Sequence, residues 1–201
     1  VSSPSARGPA DHDIRDQIVA AANEDFSQYG YSKTTVSDLA KAIGFSKAYI
    51  YKFFDSKQAI GEAICRNCLS QIVAAVEQAI NVEGISPTER FRRLVKTLIA
   101  KGVDLFFNDR KLYDIAAFAS SESSPSSRVY DTRIKSFVLQ IVREGRELGE
   151  FERKTPLDET VESIHLALRP FINPLLLQYN LDVVEEAPGL ISNLILRGLM
   201  P

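Results

Sequence analysis

The chain has 201 residues, 45% of them hydrophobic and 25% charged, with 24 basic against 26 acidic side chains and a formal net charge of −2. This length fits one long domain or two compact ones, and the balance is that of a globular protein able to bury a core without disulfides or metals. A pI of 5.8 argues against a protein that simply coats nucleic acid, and no uninterrupted apolar run reaches the roughly 18 residues of a membrane span.

Residues 1–11 are small and polar, with proline and glycine but no apolar stretch of the kind that marks a secretion signal, and read as a mobile arm. Arg7 and Arg15 would suit an arm that touches DNA; Asp11, Asp13 and Asp16 oppose it. From residue 12 helical periodicity takes over. Ile14, Ile18, Ala22 and Phe26 recur every fourth residue and predict a first helix ending near Gly30. Val36, Leu39, Ala40 and Ile43 predict a second, capped by Thr35 with Asp38 three residues on and stopped by Gly44. Ser46 caps a third that holds Ile50, Phe53 and Phe54. Asp55 caps a fourth, with Gln58 at its third position, running through Ile60, Ile64, Leu69, Ile72, Val76 and Ile80.

Longer helices follow. Ser86-Pro87-Thr88-Glu89 is a strong helix start, continued by Phe91, Leu94, Val95, Leu98 and Ile99. After a turn at Asn108-Asp109 a short helix passes through Tyr113 and Phe118, and residues 120–127 are a loop by composition. A helix with Val129, Ile134, Phe137, Val138, Ile141 and Val142 ends between Gly145 and Gly149. Thr155-Pro156-Leu157-Asp158 repeats the cap-proline-acid start, and the apolar helix beyond it contains Pro170 and Pro174, which predict a kink or break. A last helix reaches Leu199. The fold class is all-α, with about nine helices and no alternating strand pattern.

Cys65 and Cys68 are the only cysteines. A zinc site needs about four ligands, and His12 and His165 are far away in sequence. A redox pair opens a helix after a strand, whereas this one lies inside an apolar helix, so two small buried hydrophobes are the plainer reading. No metal or cofactor is expected, and the lack of export signal and of paired cysteines points to a reducing cytosol.

Charge is distributed unevenly. Residues 33–57 carry Lys33, Lys41, Lys47, Lys52 and Lys57 against Asp38 and Asp55, while the remainder is net acidic. The same segment reads as two short helices joined at a glycine turn, a helix-turn-helix. Its second helix buries Ile50 and Phe54 and leaves Lys47, Ala48, Tyr49, Tyr51 and Lys52 on other faces. This small, hydroxylated and basic set suits base edges and phosphates in a major groove. Ser46 and Thr35 stand at helix starts, and Thr35 and Lys57 are placed to hold phosphates. Taken alone, a lysine-rich helix face is equally well a solvated surface.

The stretch TTVSDLAKAIGFSKAYIYKFFDSKQAI resembles the N-terminal signature of TetR-type regulators. The matching residues are Thr35-Val36, Asp38-Leu39-Ala40, Ala42-Ile43-Gly44-Phe45-Ser46, Ile50-Tyr51, Phe54-Asp55-Ser56-Lys57 and Ile60, preceded by Phe26 and Gly30 at family spacing. Residues 144–164 are similar, less specifically, to the joint between late helices of the same family. The resemblance implies that Thr35, Tyr51 and Lys57 bind phosphates, that Lys47, Ala48 and Tyr49 face bases, and that Lys52 lies close to the DNA backbone. Ala48 stands where glycine is frequent. Phe53 stands where histidine or tyrosine is usual, which costs one phosphate hydrogen bond.

The resemblance also implies a helix-turn-helix domain over 12–58 and a ligand-binding and dimerisation domain over 59–201. Phe106, Phe107, Tyr113, Phe118, Phe137, His165 and Phe171 are candidate cavity walls because they are large and lie on the later helices; the plainer reading of each is a core side chain. The apolar stripe Leu190, Ile191, Leu194 and Ile195 is the candidate homodimer interface, since a stripe on a surface helix needs a partner. The expected partners are a near-palindromic double-stranded DNA operator, a small hydrophobic or aromatic effector and a second copy of the chain, in the cytoplasm and without a membrane. The expected mode is repression. A same-fold protein that recruits a protein partner without sensing a ligand is the alternative. An enzyme is disfavoured, for there is no phosphate-binding glycine loop, metal-ligand cluster or nucleophile elbow.

Overall fold

In the computed structural model residues 8–121 and 124–201 are described, with side chains described for 11–117 and 124–201. Residues 1–7 of the arm, with Arg7, therefore lie outside the described residues, as does the side chain of Phe118; residues 8–11, expected in the arm, are helical. The first helix, α1 (Gly8–Tyr29), starts before the expected boundary of the arm. It is followed by α2 (Val36–Ala42), α3 (Lys47–Ile50) and α4 (Lys57–Ile80). Next come α5 (Pro87–Asn108), α6 (Arg110–Ser121), α7 (Pro125–Glu147), α8 (Leu157–Ile172), α9 (Pro174–Leu177) and α10 (Ala187–Leu199), with a 3-10 turn at Leu181–Val183. All regular structure among the described residues is helical, in ten α-helices rather than nine.

The first three helices close on one another through Ile18, Ala22, Phe26, Leu39, Ile50 and Phe54, all buried. A four-residue helix has no stability of its own. α3 exists because Ile50 is fully buried and the Ser46 hydroxyl accepts the Tyr49 N–H at 3.1 Å. These contribute about 2 and about 1 kcal/mol. Phe53 and Phe54 follow on a turn beyond α3, not on the helix itself. Gly44 makes the turn between α2 and α3 at φ +71°, a left-handed backbone that an L side chain resists.

α4 is the shared element. It packs on α1 and also on α5, α6 and α7, while α8 lies on α7 and α5, and α10 on α5 and α8. It is apolar enough over 18 residues to resemble a membrane helix, but Ile60, Ile64, Leu69, Ile72, Val76 and Ile80 all point into the core.

Three predicted boundaries shift. α4 is capped by Ser56, whose hydroxyl accepts from the Ala59 N–H, and not by Asp55. Phe54 must stay buried, so the chain turns one residue later than the acid. α8 has Pro156 at its N-cap without a side-chain bond. Thr155 does not cap it because its hydroxyl and its N–H both bond the Glu152 carboxylate, while its carbonyl accepts from Arg146. The serine-rich loop shrinks because α6 extends to Ser121 and Ser124 caps α7. The predicted break falls at Asn173, directly before Pro174, while Pro170 is accommodated inside α8. Proline disfavours helical backbone in the residue before it.

The end of α7 is closed by Phe151, which folds back over Gly145. A Cβ on Gly145 would stand 2.1 Å from the Phe151 ring. Gly145→Ala is accordingly expected to lower the urea midpoint at unchanged slope, by about 1–3 kcal/mol of overpacking. An unchanged midpoint would mean that the ring moves aside without cost.

Candidate DNA-binding face and ligand cleft

Lys33, Lys41, Lys47 and Lys52 are exposed around the helix-turn-helix, as are Thr35, Ser46, Ala48 and, at 42%, Tyr51. Tyr49 is half-buried. Its ring lies edge-on between Phe45 at 5.0 Å and Phe53 at 5.3 Å. Such pairs contribute about 0.5–1.5 kcal/mol each. Phe53, which lacks a hydroxyl for phosphate, thus holds Tyr49 in place. Sequence reasoning saw only the loss. Lys52 stands 5.5 Å from the Tyr49 ring centre and Lys47 5.8 Å from that of Tyr51. Arg15 of α1 lies over the Phe54 ring at 4.4 Å and donates to the Phe53 carbonyl, so it braces the unit from behind.

The two predicted phosphate holders carry prior commitments. The Thr35 hydroxyl accepts the Asp38 N–H at 3.2 Å and the Thr35 N–H donates to the Asp38 carboxylate at 2.9 Å, a reciprocal capping box, and the hydroxyl also donates to that carboxylate at 2.7 Å. These bonds hold the Asp38 carboxyl below the usual carboxylate range and use the one proton Thr35 could give a phosphate. Lys57 opens α4 with its ammonium 4.3 Å from the Tyr31 ring centre, and partial burial pushes its pKa down.

The structure distributes the predicted cavity residues over two places. Phe106 sits edge-on to Phe107 at 5.1 Å and to Tyr113 at 4.7 Å. Phe107 is exposed, and Tyr113 is buried with its hydroxyl donating to the Pro174 carbonyl. Phe171, half-buried, ends α8 near Gly102. Phe137 and His165 are buried on α7 and α8. The His165 Nδ1 has no hydrogen-bond partner, and burial pushes its pKa down against the opposing pull of Asp131.

None of these residues lines the cleft of about 790 Å³ that opens between α1, α4, α5 and α6. Its rim carries Asp16, Asn23, Asn67, Gln71, Asp104 and Asp109, and its floor Val19, Ile64, Ile72 and Leu105. Sequence reasoning missed it because four helices, distant in the chain, contribute the wall and no motif connects them. Beside it the Ser27 hydroxyl donates to Asp109 at 3.4 Å, and Lys111 donates to the Gln28 carbonyl, tying α1 to α6. Cys68 belongs to this wall and Cys65 lies behind it. Burial pushes both thiols up to about 11, so at neutral pH they are protonated, as apolar fillers would be.

The α10 stripe divides. Leu190 and Leu194 are 64% and 71% exposed, Ile191 and Ile195 half-buried, and Leu199 buried. Leu166 on α8, which sequence reasoning passed over, is exposed as well.

Comparison with known proteins gives a consistent result. Residues 18–64 match the family described as bacterial regulatory proteins, tetR family, and residues 87–187 match the tetracyclin repressor-like C-terminal domain. The HTH-type transcriptional repressor DhaR of Mycobacterium sp. (strain GP1) is 24% identical over 144 residues, which is 70% of this chain and 71% of that protein. Among solved structures, PfmR of Thermus thermophilus, a TetR family transcriptional regulator, superposes with a TM-score of 0.59 at 29% identity, covering 92% of this chain and 99% of that one. FadR of Bacillus subtilis, solved in complex with stearoyl-CoA, shares the fold with a TM-score of 0.64 at 21% identity, covering 92% and 98%.

Proposed function

The chain belongs to the TetR family of bacterial regulatory proteins and is a DNA-binding transcriptional regulator rather than an enzyme, and from that premise we propose that it is a homodimeric, cytoplasmic repressor released from a near-palindromic operator by a small hydrophobic or aromatic ligand. The observation that carries this is the α2–turn–α3 unit. It is locked from behind by Phe54 and Arg15 and presents Lys47, Ala48, the Tyr49 edge and Lys52 outward.

In this reading Lys47, Ala48 and Tyr49 face base edges, with Ser46 at the start of the helix beside them. Tyr51, Lys52 and Lys57 take phosphates. Thr35 joins them by turning its hydroxyl from Asp38 to the DNA, at the cost of one hydrogen bond. A two-fold dimer places two such helices roughly 34–36 Å apart, one turn of duplex. The bundle from 59 onward supplies the dimer contact through Leu190, Ile191, Leu194 and Ile195. It supplies the effector site from among Phe106, Phe107, Tyr113, Phe118, Phe137, His165 and Phe171. The orphaned His165 nitrogen is a polar anchor of the kind that apolar pockets use. The stearoyl-CoA held by a protein of the same fold supports an effector with an apolar portion, as its acyl chain is.

Footprinting of the full chain on its own upstream DNA, with and without a panel of hydrophobic compounds, tests the reading. Two protected half-sites about one helical turn apart, lost on adding one compound class, are the expected result. Protection that no compound alters would favour a regulator that recruits a protein partner; no protected sequence at all would remove the repressor reading.

A further inference from the structure

We propose that the cleft between α1, α4, α5 and α6 binds organic cations, specifically amines carrying an apolar body. This goes beyond the apolar effector site proposed above, since it names a different place and a different charge. Only its consequence at the operator rests on the regulator reading.

Three features point to this ligand class. The volume, about 790 Å³, lies within the roughly 300–1,000 Å³ of small-molecule pockets. The lining brings together Asp16 of α1, Asp104 of α5 and Asp109 just after it, with one ammonium, that of Lys101, 3.4 Å from Asp104, while Asp109 accepts from Ser27 and the Leu112 N–H. An anion entering here would face three carboxylates, whereas an ammonium meets them as acceptors. Asp16 also stands 3.0 Å from the His12 ring, one turn earlier on α1.

The third feature is independent of charge. Asn23 lines the cleft with a buried Oδ1 that has no hydrogen-bond partner. A buried acceptor left unpaired costs about 1–3 kcal/mol; the atom has almost no accessible surface, so a donor in the cleft becomes its partner when the Asn23 amide turns toward the ligand. Below the rim Val19, Ile64, Ile72 and Leu105 form an apolar floor, so the body of the amine is buried while its ammonium stays among the acids and amides. Among the described residues no aromatic side chain lines the cleft, and selection rests on carboxylates and amides rather than on cation–π contact. A ligand held by Asp16 and Asn23 on one side and Asp104 and Asp109 on the other spans the joint that Ser27–Asp109 already ties.

Calorimetric titration of the full chain with 3-phenylpropylamine, 3-phenylpropanol and 3-phenylpropanoate tests the assignment. The amine is expected to bind about tenfold more tightly than the alcohol, and the carboxylate most weakly. Asp104→Asn, at an exposed site, should weaken the amine about three- to fivefold and leave the alcohol unchanged. Ala75→Phe fills the cleft and should abolish both, with a thermal melt reporting its fold. Equal affinity for amine and carboxylate, or amine affinity untouched by Asp104→Asn, would overturn the proposal. Footprinting of the unliganded chain in parallel keeps the two readings apart. Loss of cation selectivity with an intact operator footprint removes the cleft alone; selective amine binding without any footprint removes the regulator reading alone.

Discussion

Replacing Leu190 and Leu194 together by aspartate is expected to leave a folded monomer that has lost its operator. Both side chains stand on α10 and are mostly exposed, so the chain's own core does not depend on them and the helical signal in circular dichroism should be unchanged. In a two-fold dimer each leucine occurs twice. Burying four such side chains to a large extent contributes on the order of 5 kcal/mol. Four carboxylates in the same place would be desolvated without partners. The dimer dissociation constant should rise more than a thousandfold. Sedimentation read at micromolar concentration, with operator binding measured on the same sample, checks both halves of the expectation. Operator affinity should fall with the dimer, because a monomer holds one half-site only. A double variant that still sediments as a dimer would place the interface elsewhere, and Leu166 on α8 would be the next residue to change.

Tyr49 carries the second large expectation. Tyr49→Ala removes the side chain proposed to face the bases and the middle ring of the Phe45–Tyr49–Phe53 ladder together. A base contact discriminates by about 1–3 kcal/mol, so specific affinity should fall about 10- to 100-fold. Tyr49→Phe separates the two roles, since it keeps the ladder and removes the hydroxyl. The expected result is that Tyr49→Phe relaxes preference at one position of each half-site with non-specific binding intact, while Tyr49→Ala also weakens binding to unrelated DNA as α3 loosens. Competition titrations with single-base operator variants read both effects. Unchanged base preference in both variants would show that Tyr49 serves only to pack, and would transfer base reading to Lys47 and Ala48.

What the sequence determined by itself is what depends on neighbours three or four residues apart. Most periodic apolar positions of α1, α2, α4, α5 and α7 are buried as their spacing predicts, because one face of a helix must find the core; Ile14 and Ile43 are half-buried and Val129 is exposed. The Thr35–Asp38 box, the Ser46 and Ser86 caps and the glycine stops at 30 and 44 are bonds or torsions inside a single turn of chain, and the helix-turn-helix is assembled from those same signals. Tertiary structure decided the rest. Asp55 and Ser56 are both good caps, and the burial of Phe54 selects the serine. Thr155 is drawn away from capping by Glu152 in the turn before it and held by Arg146 of α7. The four residues of the α10 stripe look alike in sequence, yet packing on α5 and α8 turns two of them outward and half-buries the other two. The cleft has no sequence signature at all, because its acids, its orphaned amide and its apolar floor come from α1, α4 and α5, with Leu112 of α6 beside them, and only long-range packing brings these helices together. Local bonds are encoded within a turn, whereas concavity and exposure belong to the way whole helices meet.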